Sequence, residues 1–222
     1  MGQCAAPKTT SRQPVDVSTV IIVDDDEQVR TALADLFASV GFRVVSVGSA
    51  TELLRAALPD TPSCLLLDIR LPGVSGLDIQ SELAKRGNSL PIVFMTGHGD
   101  IPMTVQAMKA GAVDFLGKPF RHPDLLRAVN AALAQDRAQR EIRKSVRILQ
   151  DRYKSLTPRE AEVMWHVTRG LLNKEIAFVI GVTEATIKVH RSNLTRKMGA
   201  NSVAELVLMA QKLEIQEPPK PE

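Results

Sequence analysis

No apolar stretch in these 222 residues approaches the roughly 20 needed to cross a bilayer, which sets aside a membrane-spanning helix. Cysteine is nearly absent: Cys4 stands near the start and Cys64 inside an apolar strand pattern. Two such positions supply neither a disulfide framework nor a cluster of metal-binding thiols. Met1–Val17 is polar and has no apolar core of the kind a secretion signal carries. Ala6 occupies the place where N-myristoylation requires Ser or Thr. Residues 1–17 are therefore expected to form a flexible tail, and the cytoplasm is the expected compartment. What remains is 44% hydrophobic and 24% charged, an ordinary globular composition with enough chain for two small domains.

The charge is unevenly divided. Residues 1–136 carry 12 Lys and Arg against 15 Asp and Glu, whereas residues 137–213 carry 15 against 7. An acidic front and a basic back suggest two domains with different partners, the basic one a candidate for nucleic acid. A solvated basic surface is the plainer alternative.

In the front part, five apolar runs are read as strands: Thr19–Val23, Arg43–Val47, Cys64–Leu67, Ile92–Met95 and Ala112–Leu116. Amphipathic stretches alternate with them near Glu27–Val40, Thr51–Leu58, Gly76–Arg86 and Ile101–Ala110, and a fifth helix is expected from Pro123. Ser49 and Glu52 make a capping box for the second helix. Strict alternation of strand and helix implies a doubly wound, flavodoxin-like α/β domain with a parallel sheet.

Ligands of such sheets bind beyond the carboxyl ends of the strands, where the strand order switches. Strand one ends in Asp24-Asp25-Asp26, strand three in Asp68, and strand four in Thr96-Gly97, while strand five runs into Lys118-Pro119. Strand two offers only Val47-Gly48, which fits the order 2-1-3-4-5 with strand two at an edge. The central stretch, Cys64–Gly76, reads CLLLDIRLPGVSG: a buried strand that delivers Asp68, then a Leu71-Pro72-Gly73 turn. Alone, Asp68 reads more readily as a helix cap or a loop acid than as a nucleophile, and the other strand ends reverse that order.

Converging carboxylates repel one another unless a cation is held among them. Hard oxygen donors in an open polar site favour Mg²⁺. A carboxylate beside that ion can attack a phosphoryl group, with Lys118 and the Thr96 hydroxyl receiving its oxygens. The segments VDDDEQVR, LLLDIRLPGVSG, MTGHGD and MKAGAVDFLGKPF resemble the receiver domain of two-component response regulators, over about residues 18–136. The resemblance implies Asp68 as phosphoacceptor and Mg²⁺ on Asp25, Asp68 and the Arg70 backbone carbonyl, with Asp24 acting through water. It also implies Thr96 and Phe115 as a switch pair, and Lys118 followed by a cis Pro119. Leu71 departs from the methionine usual before Pro72.

Asp24-x-Asp26 also resembles the nucleophile motif of haloacid-dehalogenase-type phosphatases. That motif wants Thr or Val where Gln28 stands, and a larger domain than the remaining chain allows.

After Pro123, no proline or glycine interrupts the chain until beyond Tyr153. Leu126, Val129 and Leu133 keep helical spacing, which Ile142, Val146, Leu149 and Tyr153 resume. Residues 137–153 are expected to be a helical linker, either a rigid connector with a short coiled coil in a dimer or two helices with a frayed joint.

Residues 154–213 are expected to fold as a small four-helix, all-α domain, followed by a second flexible tail at 214–222. Thr157-Pro158-Arg159-Glu160 opens a helix to about Arg169, Asn173–Ile180 a short one, and Thr183 caps a helix to Met198. Ser202 with Glu205 caps the last. Ala177 and Gly181 have the spacing of a helix-turn-helix. On its second helix, Ile187, His190, Leu194 and Met198 face inward, while Glu184, Lys188, Arg191, Ser192, Thr195 and Arg196 face out. Lys188 and Arg191 can meet base edges or phosphates, Val189 can touch a thymine methyl, and Asn173 and Lys174 suit phosphate. A protein-binding helical bundle is the alternative.

LTPREAEVM, GLLNKEIA and ATIKVHRSNLTRKMGANS resemble the LuxR/FixJ-type DNA-binding domain, which implies Lys188, Val189 and Ser192 as base-facing and adds Thr186 and Arg196 to the interface. The whole chain thus resembles a response regulator of the FixJ/NarL (LuxR-type) class, a transcription regulator and not an enzyme. Expected partners are a sensor histidine kinase, promoter DNA with two half-sites, RNA polymerase and a second copy on phosphorylation. A constitutive dimeric DNA binder is the competing expectation.

Overall fold

The structure, a computed structural model, describes residues 17–97 and 101–216. Residues 1–16, 217–222 and His98–Asp100, which include most of the expected tails and part of the MTGHGD motif, lie outside the described residues. The chain divides into two compact units, Met1–Arg140 and Glu141–Glu222.

The first unit contains β1 (Thr19–Val23), α1 (Glu27–Ser39), β2 (Arg43–Val47), α2 (Ala50–Arg55), β3 (Ser63–Asp68), β4 (Arg70–Leu71), β5 (Val74–Ser75), α3 (Gly76–Lys85), β6 (Ile92–Thr96), α4 (Ile101–Lys109) and β7 (Asp114–Gly117). It is completed by the first part of α5 (His122–Lys154), within which the division falls. Five parallel strands stand in the order β2-β1-β3-β6-β7, the doubly wound α/β arrangement that the alternating pattern predicts.

Alternate residues of each central strand enter opposite cores. Val20, Ile22, Leu66, Val93 and Met95 pack with Leu33 and Phe37 of α1 and Leu125, Val129 and Leu133 of α5. Ile21, Val23, Leu65, Leu67 and Phe94 pack with Leu53 of α2, Ile79 and Leu83 of α3 and Ala107 of α4. Cys64 is wholly buried, and that burial, with the Asp136 charge nearby, pushes its thiol up to about 12.

Several edges differ from the sequence reading, each for a local reason. The last strand starts at Asp114, not Ala112, because the Ala112 amide turns back to the Ala107 carbonyl at 3.1 Å. Helix α2 stops at Arg55, since Ala56 is already extended (φ −68°, ψ 139°). The turn after Asp68 is a small antiparallel pair, β4 against β5, with Gly73 at φ +78°. Helix α5, by contrast, runs unbroken for 33 residues through the charged stretch, the form of the continuous connector and not of two helices with a frayed joint.

Far from the strand ends that carry the acids, Asp136 of α5 is 1% exposed. It accepts the Ser63 amide at 2.8 Å and Arg140 Nε at 2.6 Å, and Arg140 reaches Asp60 at 3.2 Å and the Pro59 carbonyl at 3.3 Å. This network fastens α5 to the start of β3.

The second unit holds the end of α5 with α6 (Pro158–Thr168), α7 (Asn173–Ile180), α8 (Glu184–Met198) and α9 (Val203–Lys212) around Val163, Met164, Ile176, Ile187, Leu194, Met198 and Leu206. The expected caps form: Thr183 and Ser202 accept amides of Thr186 and Glu205, and Thr157 and Glu160 cap each other reciprocally. Gly181 ends α7 in the left-handed conformation.

Glu160 also pairs with Lys197 at 2.6 Å. Burial alone would raise its carboxyl, but the bonds from Lys197 and Thr157 outweigh burial and hold it below its ordinary value. A carboxyl whose value is lower in the folded state contributes stability above the unfolded value, and that stability disappears as pH falls through the folded value. The stability difference between the wild type and Glu160→Gln is therefore expected to be constant near neutral pH and to shrink in acid. Denaturant titrations across that range measure it, and a difference growing toward acid would be the wrong sign.

Candidate functional site

The carboxyl ends of β1, β3, β6 and β7 meet at one edge of the parallel sheet. Lys118, just after β7, places its Nζ 2.6 Å from Asp24 Oδ2 and 2.6 Å from Asp68 Oδ2. The other oxygen of Asp24 accepts the Asp26 amide at 3.0 Å, and that of Asp68 accepts the Arg70 amide at 2.9 Å. Asp24 and Asp68 are buried, whereas Asp25 is exposed. The three offer oxygens that all lie within 4.8 Å of one another, a hard donor set suited to a divalent cation.

Burial drives the Asp24 carboxyl upward, against the pull of Lys118 and the Asp26 amide. Lys118 is raised, because the two carboxylates more than offset its own desolvation. The site thus holds Lys118 as an ammonium between the two carboxylates.

Thr96, at the end of β6, is fully buried, and its carbonyl accepts the Lys118 amide. The Lys118–Pro119 bond is cis. Phe115 is half-buried, tilted against Phe94 with ring centroids 6.4 Å apart. Arg70 opens β4 and is exposed. Asp26, read as part of the acidic run, instead caps α1 through the Gln28 and Val29 amides.

Two further residues shape this site. Arg30 Nη1 donates to the Asp24 carbonyl at 2.8 Å and lies over Gly48. Its only sequence signal is its position in the helix that follows the acidic strand end. Gly76 is required by contact: a Cβ there would stand 2.9 Å from the Asp68 carbonyl oxygen and 3.0 Å from Ile69 Cα. Gly76→Ala is expected to lower stability by about 1–3 kcal/mol through overpacking. Relief of the clash would move the backbone of Asp68 or Ile69. Urea titration measures the loss, and a wild-type midpoint would contradict the contact argument.

In the second unit, Ile187, Leu194 and Met198 of α8 are buried and His190 is half-buried, whereas Lys188, Val189, Ser192 and Arg196 are exposed. Lys188 and Glu184 form a solvent-exposed pair at 3.2 Å, a contact of little energetic weight. The Thr186 hydroxyl is 2.9 Å from that of Thr183. Arg191 donates to Asn173 Oδ1 at 2.7 Å, so it is tied to the start of α7, beside exposed Lys174. A basic, polar surface on the second helix of a helix-turn-helix has the form that enters a major groove.

Comparison with known proteins agrees with both halves. Residues 20–130 match the response regulator receiver domain, and residues 154–210 match the luxR family of bacterial regulatory proteins. Nodulation protein W of Bradyrhizobium diazoefficiens is 52% identical over 196 residues, covering 88% of this chain and 86% of that protein. Response regulator protein TmoT of Ectopseudomonas mendocina is 46% identical over 197 residues, covering 89% and 90%. Among solved structures, the response regulator StyR superposes with a TM-score of 0.79 at 44% identity, over 88% of this chain and 99% of that one. In this family the receiver works with a histidine kinase and the luxR-type domain binds DNA. Sheet, acidic site and helix-turn-helix agree with these matches, and the chain belongs to the two-component response regulators that join a receiver to a LuxR-type DNA-binding domain.

Proposed function

We propose that a partner histidine kinase phosphorylates Asp68 and thereby controls dimerisation and sequence-specific promoter binding in the cytoplasm. The observation that carries this reading is Lys118 held between Asp24 and Asp68, beside exposed Asp25. Mg²⁺ would be held by Asp25, Asp68 and the Arg70 carbonyl, with Asp24 acting through water. Bound there, it would neutralise charge on the phosphoryl oxygens.

An Asp68 carboxylate oxygen attacks phosphorus as the bond to the donor breaks. Lys118 then exchanges its bond to Asp68 for one to a phosphoryl oxygen. Thr96 turns its hydroxyl to the same group, and Phe115 packs further inward. These shifts reshape the face of α4, β7 and the start of α5, where Ile101, Val105 and Met108 are exposed. A two-fold pairing of this face sets two α8 helices about one DNA turn, roughly 34 Å, apart. Lys188, Val189 and Ser192 face bases, while Thr186, Arg196, Asn173 and Lys174 serve the backbone and Arg191 holds Asn173. RNA polymerase is the further partner proposed at the promoter.

The competing function is a constitutive dimeric regulator whose receiver does not depend on phosphate. Against it stands the complete set of acids, Thr96 and Lys118. Sedimentation of the protein with Mg²⁺, with and without acetyl phosphate, tests the choice. A shift from monomer to dimer on adding the donor is expected. A dimer in both conditions would overturn the switch and favour the competing function.

A further inference from the structure

The last turn of α8 is tied to one short segment, 152–160. Gly199 ends the helix in the left-handed conformation, and its amide returns to the Arg196 carbonyl. Ala200 closes on the Thr195 carbonyl at 3.1 Å. The Met198 carbonyl is taken by Arg152, whose Nη1 donates to it at 2.8 Å. One residue earlier, Lys197 Nζ donates to the Ser155 carbonyl at 3.1 Å and to Glu160 at 2.6 Å. Met198 itself is wholly buried, in a cluster that Tyr153 and Leu156 join.

Arg152 is otherwise exposed, so burial does not explain its place. A cation donating to a helix's final carbonyl satisfies an orphan acceptor and opposes the negative end of the macrodipole. The fit is close on both sides: a Cβ at residue 199 would stand 2.8 Å from Nη1 and 3.1 Å from Cζ. Glycine there supplies both the positive φ of +67° and the room for the guanidinium.

We propose that Arg152 is a positioning residue for DNA recognition, setting the tilt of α8 from its carboxyl end without itself touching DNA. The inference rests on the reading of α8 as the recognition helix. At about 1.5 Å per residue, Lys188 lies about 15 Å from Met198, so a tilt of about 4° at that end moves it by about 1 Å. Hydrogen bonds to base edges depend on such offsets, whereas charge attraction to phosphates does not. Loss of Arg152 should therefore reduce discrimination between sequences and spare non-specific affinity.

The test uses full-length wild type, Arg152→Met, Arg152→Lys and Lys188→Ala. Each is titrated with a duplex that the wild type has selected from a randomised pool, and with a shuffled duplex of the same composition, over a salt series. Arg152→Met is expected to lose about ten-fold in the ratio of the two affinities with an unchanged salt slope. Arg152→Lys keeps the charge but not the planar fork, and is expected to lose about three-fold at the same slope. A slope reduced by about 1 in Arg152→Met, with the ratio intact, would make Arg152 a phosphate contact and overturn the proposal. If Arg152→Met fails to fold, Arg152→Lys decides: a wild-type ratio there overturns the proposal too. Lys188→Ala separates the two readings. If it keeps the ratio, α8 is not the reading helix; if it loses the ratio while Arg152→Met keeps it, only the inference on Arg152 falls.

Discussion

Asp68→Asn protein, given acetyl phosphate and Mg²⁺, is expected to take up no phosphate, to stay monomeric and to fold at least as well as the wild type. A carboxamide has nearly the shape of a carboxylate but no anionic oxygen to attack phosphorus. Its oxygen can still accept the Arg70 amide or Lys118, which in the wild type donate to Asp68 at 2.9 and 2.6 Å. Asp24 keeps Lys118 as its partner at 2.6 Å and loses a like charge beside it. Stability and phosphorylation thus separate in one variant: thermal unfolding at or above the wild-type midpoint, with complete loss of the phosphorylated mass. Phosphate uptake by Asp68→Asn would move the acceptor elsewhere, with Asp24 and Asp25 the nearest acids to examine.

The largest loss of stability is expected at Asp136, far from that chemistry. Asp136→Ala leaves the Arg140 guanidinium without its 2.6 Å partner and the buried Ser63 amide without its acceptor. Removing one side of a buried ion pair costs about 3–5 kcal/mol, and the low end is expected because the Arg140 side chain is 27% exposed. Asp136→Leu combined with Arg140→Met removes both charges and should be less damaging than Asp136→Ala, leaving chiefly the unpaired Ser63 amide. Denaturant titration of the three proteins measures this order. A double variant less stable than Asp136→Ala would mean that the network contributes through something other than charge pairing.

These cases also mark where the sequence is readable. Strand order followed from the polar groups at the ends of β1, β3, β6 and β7 together with their absence after β2, and the caps at Ser49, Thr157, Thr183 and Ser202 followed from spacing alone. Both are local signals. The bond between Asp136 and Ser63 joins residues 73 positions apart, and nothing near either one announces it. Arg152 and Met198, 46 positions apart, are equally silent. Gly76 was legible as the start of a helix but not as a contact, because the atoms that exclude a Cβ belong to Asp68, Ile69 and Phe94. Arg191 read as one more outward cation, and only the fold shows it holding Asn173.

Cys64 has a practical consequence of its own. Its thiol lies wholly inside the central strand of the sheet and is pushed up to about 12, so hardly any thiolate exists near neutral pH and reagents cannot reach it. Alkylation must wait until β3 is exposed. In a Cys4→Ser background the rate of thiol capture becomes a clock for the opening of this unit, readable without any added probe.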